Sequence, residues 1–197
     1  MDKLFNYSKI VSCIALLTVF AFVASFCVGN PALAHTVFGF TIALYVSILL
    51  WFGIIAIKSV KGSSLKLPSI LGIAFSLFII IATIILNILN TAQNNERLLS
   101  LLLRSMQTKS YLTVIGSIGL GVVFLRLSKF FNKKLINAST KAIGVVLLLY
   151  SLGFTIMLLF KYMPSKIVVI GKVLYIINIF KYALYSAFFF FFSKYNK

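Results

Sequence analysis

The sequence predicts an all-α, polytopic integral membrane protein: a bundle of about six transmembrane helices with one short interfacial helix, in a single membrane domain over residues 1–197. Three observations predict it. Hydrophobic residues make up 61% of the 197 positions and charged residues only 11%, against roughly a quarter charged in a soluble domain. Six apolar stretches reach or approach the ~20 residues that a helix needs to cross a hydrocarbon core of roughly 30 Å. The joints between them are short and polar, and the alternating pattern of a membrane barrel is absent, so each span must satisfy its own backbone as a helix. The spans run approximately over 10–29, 36–57, 67–89, 111–127, 142–160 and 167–192.

The first span, Ile10–Gly29, offers a seam of small residues in Thr18, Ala21, Ser25 and Gly29. Cys13 and Cys27 lie about 21 Å apart along it, too far for a disulfide, and read as small apolar residues. Met1–Lys9 resembles the basic start of a secretory signal, and Pro31-Ala32-Leu33-Ala34 its cleavage site. The apolar run between them is about 20 residues, longer than the usual 7–15 of a signal, and is read as a retained span. His35 stands before the second span, Thr36–Ile57, with no cysteine, carboxylate or second histidine beside it, and reads as an interfacial polar residue.

In the third span, Leu67–Leu89, the residues Ser69, Gly72, Ser76, Thr83, Asn87 and Asn90 share one narrow stripe at helical spacing. Such a stripe predicts helix packing: small residues let backbones approach closely and hydroxyls bond across helices, each bond contributing about 1 kcal/mol or less. After it, Glu96–Thr108 places Arg97, Ser100, Arg104 and Gln107 on one side and leucines around the rest. This pattern predicts a short helix in the headgroup region, with a loop helix packed on the bundle as the alternative and Glu96 as its N-terminal carboxylate.

The fourth span, Tyr111–Leu127, is thinned by Gly116, Ser117, Gly119 and Gly121. No strand precedes these glycines, so they predict close helix packing and not a nucleotide loop. The fifth span, Ala142–Phe160, qualifies by length and composition alone. The sixth, Ile167–Phe192, segregates Gly171, Tyr175, Asn178, Lys181, Tyr182 and Tyr185 onto a polar arc opposite Val173, Ile176, Ile177, Phe180, Leu184, Phe188 and Phe191. Lys181 lies deep in this span, where a charge is costly and marks a candidate function. Tyr175, Asn178, Lys181, Tyr182 and Tyr185 are therefore the candidate ligand or pore-lining residues. The alternative is a lysine snorkelling to the interface beside an aromatic belt of Tyr182, Tyr185 and Phe188–Phe192.

Charge sets the expected orientation and excludes most chemistry. Assigning loops alternately to two sides puts 13 of the 19 Lys and Arg residues on the side of both termini, which predicts cytoplasmic termini. The excess of lysine over arginine, 16 against 3, suggests an AT-rich genome and a bacterial cytoplasmic membrane. With Asp2 and Glu96 as the only acids and His35 as the only histidine, paired-carboxylate catalysis, carboxylate cation sites and Cys/His zinc sites lack their ligands. No catalytic residue, cofactor, metal or nucleic acid is expected. The expected partners are the lipid bilayer and another membrane protein or a second copy. The first functional expectation is a non-catalytic accessory or interaction subunit. The alternative is a transporter or channel for a small anionic or amphipathic solute, using the polar face of the last helix; an enzyme acting on lipid is a third reading. Comparison of the two three-helix halves reveals no inverted repeat.

Overall fold

The computed structural model describes residues 2–28, 31–59, 64–91, 99–159 and 164–195. They form six helices: α1 Asp2–Val28, α2 Pro31–Lys58, α3 Lys66–Thr91, α4 Leu99–Ser128, α5 Lys134–Leu159 and α6 Pro164–Tyr195. Each is long and apolar enough to cross a membrane, over Leu4–Val28, His35–Lys58, Lys66–Ile88, Thr108–Ser128, Lys134–Leu159 and Val169–Lys194. The protein is a six-span helical membrane bundle. All three prolines, Pro31, Pro68 and Pro164, fall in the first turn of a helix, where the amide they lack has no intrahelical acceptor to lose.

The interfacial helix does not occur as a separate element. Its residues from Leu99 onward belong to α4, which continues without a break to Ser128; Glu96, Arg97 and Leu98 lie outside the described residues. Thr108–Tyr111 carry no Gly or Pro to punctuate the helix, so propensity continues it into the span.

Among the described residues each helix packs on its sequence neighbours, and α6 closes on α1. The bundle is therefore a ring in chain order. Its outer surface is aliphatic and aromatic, with Phe20, Ile57 and Phe180 more than half exposed, while Ser8, Thr18, Thr41, Ser76 and Ser117 are buried. This distribution suits lipid, where helix association comes from close packing and polar contacts and not from hiding apolar surface.

Glycines set the closest approaches in the ring. A Cβ on Gly144 of α5 would lie 2.9 Å from the Gly121 carbonyl oxygen of α4, and one on Gly119 would strike the ring of Phe75 in α3. A Cβ on Gly72 would lie 2.7 Å from the ring of Phe52 in α2. Ser69, Gly72 and Ser76 are buried inside the bundle, but the stripe's hydroxyls do not bond across helices. Ser69, Ser76 and Thr83 donate to the carbonyls of Leu65, Gly72 and Ile79, four residues back along the chain, at 2.7–2.8 Å, because the i−4 carbonyl is the nearest acceptor a helical hydroxyl meets. Asn87 Oδ1 lies 3.3 Å from His35 Nδ1 of α2; the side chain of Asn90 lies outside the described residues. Hydroxyls do bond across helices between α1 and α6: Ser12 Oγ donates to the Ser186 carbonyl at 2.9 Å and Ser186 Oγ returns a bond to the Ser12 carbonyl at 3.1 Å.

The half of the ring that holds the chain termini is filled by aromatics. Trp51 of α2 meets Phe188, Phe189 and Phe192 of α6 edge-on, with centroids 5.7, 5.3 and 5.4 Å away. Phe124 of α4 joins the group through Phe188 at 5.8 Å. Edge-to-face contact suits the ring quadrupoles, and the indole N–H donates to Ser8 Oγ at 3.1 Å. Phe188, Phe189 and Phe192 are thus core residues and not a surface belt. Phe188 also departs from the lipid-facing side expected for it, since the ring interior reaches that far around α6.

Candidate functional site

Above the aromatic plug, the other half of the ring encloses a cavity of about 360 Å³ to which all six helices contribute. Residues 174, 178, 181, 182 and 185 recur at helical spacing on α6 and so share a face. That face is turned inward: Lys181 is 2% exposed, and Leu174, Tyr182 and Tyr185 are buried with it. Lys181 stands about 18–20 Å from either end of its span at 1.5 Å per residue. It is midway along the span, with its side chain turned into the bundle.

Three aromatic rings and one amide surround the ammonium. Its Nζ lies 4.3 Å from the Tyr150 ring centre, 4.5 Å from Tyr182 and 5.8 Å from Tyr45, within the distance at which a ring quadrupole attracts a cation. It also donates to Asn178 Oδ1 at 2.6 Å, and Asn178 Nδ2 in turn donates to the Tyr150 hydroxyl at 3.0 Å. Lys181, Asn178 and Tyr150 therefore form a directed chain in which each donates to the next. Tyr150 keeps its own proton for a further bond.

Each of the five candidate residues on α6 has a defined place. Tyr175, Asn178, Lys181 and Tyr182 line the cavity. Tyr175 is half-buried, donates its hydroxyl proton to the Phe22 carbonyl of α1 and packs its ring on Phe22 and Phe26. Tyr185 lies below the cavity, against Tyr45 at 6.3 Å and Phe124 at 5.6 Å. Among the described residues of the α3 stripe only Thr83 reaches the cavity; α3 and α6 face each other across it without packing together.

Sequence reasoning missed three contributors: Tyr45 on α2, Tyr150 on α5 and Lys109 on α4. A lone tyrosine in an otherwise aliphatic stretch is the signal that Tyr45 and Tyr150 carried. The hydroxyls of Tyr45 and Tyr185 are the buried side-chain polar atoms without a hydrogen-bond partner among the described residues, and such a group costs about 1–3 kcal/mol.

The described lining contains two lysines and no acid. Cys13 and Cys27 are exposed on α1, and no cluster of three His, Cys, Asp or Glu side chains occurs among the described residues. The site can do two things chemically: pair with negative charge at Lys181 and Lys109, and accommodate apolar groups against Phe22, Phe38, Leu86, Met157 and Leu174. No protein-family model, curated protein or solved structure matches this chain.

Proposed function

We propose that this membrane protein is a non-catalytic carrier that binds an amphipathic organic anion in the mid-membrane cavity, with Lys181 as the residue that pairs with its charge. The observation that carries this reading is a lysine buried midway along its span with no acid in the described lining of its cavity. An intramembrane cation is costly unless something pairs with it; aromatic rings and one amide lower that cost, and a bound anion would remove it. The Tyr45 ring forms part of the same wall and adds apolar surface beside Lys181. Apolar walls favour an anion with an apolar body, and the volume falls at the low end of the roughly 300–1,000 Å³ typical of small-molecule sites.

A carrier is favoured over a channel because Tyr185, Phe124, Phe188 and Trp51 fill the ring below Lys181. The first expectation, an accessory subunit, rests on small-residue seams, and those of α3 and α4 are occupied within the chain, Gly72 by Phe52 and Gly119 by Phe75. In the proposed orientation both termini face the cytoplasm of a bacterial cell and the cavity lies in the outer half of the membrane.

Uptake of radiolabelled octanesulfonate, which stays charged at all working pH values, into proteoliposomes tests the reading. Wild-type protein is expected to accelerate uptake over protein-free vesicles, and Lys181→Met to return it to background. Equal uptake with wild type and Lys181→Met, or none with either, contradicts it.

A further inference from the structure

The cavity holds two lysines at different depths. Lys109 projects from the first turn of the α4 span, half-buried, with its Nζ 5.7 Å from the Phe154 ring centre. Lys181, deeper, lies 4.3 Å from the Tyr150 ring centre. Tyr150 and Phe154 are one turn apart on α5, about 6 Å along its axis, and their rings touch at a centroid distance of 5.0 Å. Two adjacent rings thus form one aromatic wall with an ammonium at each end. The upper ammonium sits where α4 begins its span and α5 ends, and the lower one sits above the plug.

From this wall we infer that the cavity offers an amphipathic organic monoanion two successive stations, its acidic group meeting Lys109 first and Lys181 when fully seated. The inference rests on the anion-binding reading above and adds Lys109 to it as the capture residue. A cavity of about 360 Å³ has room for one such ligand, so the two charges act in sequence on a single acidic group. The Thr113 hydroxyl does not compete for it: Thr113 lines the cavity one turn below Lys109, but its proton is committed to the Lys109 carbonyl at 2.9 Å.

The two lysines then have separable kinetic roles. A charge near the water steers an oncoming anion, raises its association rate and is weakened by salt. A charge removed from water holds the seated anion and governs how slowly it leaves.

Stopped-flow binding of 1-anilinonaphthalene-8-sulfonate, a fluorescent amphipathic sulfonate, to protein in phosphatidylcholine nanodiscs separates these roles. Lys109→Gln is expected to lower the association rate constant about fivefold and flatten its decline with salt, leaving dissociation unchanged, as expected for a steering charge. Lys109→Arg is expected to restore the wild-type rate, which a purely structural defect would not allow. Lys181→Gln is expected to raise the dissociation rate at least about tenfold with association near wild type. Wild-type association and salt dependence in Lys109→Gln, with Lys181→Gln still impaired, overturns the two-station inference and leaves the carrier reading standing. Faster dissociation in Lys109→Gln also overturns it, because both lysines would then hold one site. Wild-type kinetics in both glutamine variants overturns the anion-binding reading itself.

Discussion

Lys181 and Tyr150, on helices that adjoin in the ring, are coupled twice: the ammonium lies 4.3 Å from the Tyr150 ring centre, and Asn178, which accepts from Lys181, donates to the Tyr150 hydroxyl. The ring and the hydroxyl of one residue thus act on the same cation by different routes. Tyr150→Phe keeps the ring but strands the Asn178 amide, at a cost of about 1–3 kcal/mol. Tyr150→Leu also removes the cation–π contact, which adds roughly 1–2 kcal/mol in a desolvated site. Thermal unfolding in detergent is expected to rank wild type above Tyr150→Phe above Tyr150→Leu. Equal midpoints for the two variants would mean that the ring contributes nothing.

The Gly121–Gly144 approach predicts a sharp contrast between glycines. Gly144→Ala places a methyl group against a backbone oxygen that cannot move aside, an overpacking expected to cost about 1–3 kcal/mol. Gly39→Ala meets nothing within 4 Å and is expected to be neutral or to stabilise α2 by about 0.5–1 kcal/mol. Unfolding midpoints of the two variants measured side by side check the direction of each.

Phe188 and Phe190 provide the same kind of contrast in the plug. Phe188→Ala opens a hole among Trp51, Phe124, Phe189 and Phe192 and is expected to destabilise by about 3 kcal/mol. Phe190 is half exposed on the lipid side, and its alanine variant is expected to unfold within a degree or two of wild type. A mild Phe188→Ala would show that the plug is loosely packed.

Span number and the polar arc of α6 were legible because each rests on a local pattern, apolar length for the first and helical periodicity for the second; the first and fifth spans begin earlier than apolar length alone marks, at Leu4 and Lys134. The cage around Lys181 was not. Tyr45 and Tyr150 are separated from Lys181 by 136 and 31 positions and belong to helices without a polar stripe, so only the ring arrangement brings them together. Phe188, Phe189 and Phe192 read as an interfacial belt because a run of phenylalanines near a helix end has the same composition whether it meets headgroups or a core. The α3 stripe marks a packing seam without revealing where its hydroxyls bond, because a helical hydroxyl has a carbonyl one turn back within reach before any other.

Loop charge predicts which face of the membrane the cavity serves. In protein with Cys13 and Cys27 replaced by alanine, a single cysteine at Ser63 or Asn137 is expected to be shielded from an impermeant thiol reagent in intact cells, and one at Asn94 to be labelled. The reverse pattern would place the cavity in the cytoplasmic half of the bilayer.

Equilibrium binding of a charged and an uncharged ligand of the same shape tests the central claim most directly. Octanesulfonate and methyl octyl sulfone differ in charge far more than in apolar body, so their affinity ratio for protein in phosphatidylcholine nanodiscs reports the pairing at Lys181. The account predicts that wild type prefers the sulfonate by at least about tenfold, or ~1.4 kcal/mol, and that Lys181→Met, with its unfolding midpoint unchanged or raised, loses the preference. A folded Lys181→Met protein that still prefers the sulfonate as strongly as wild type would contradict it.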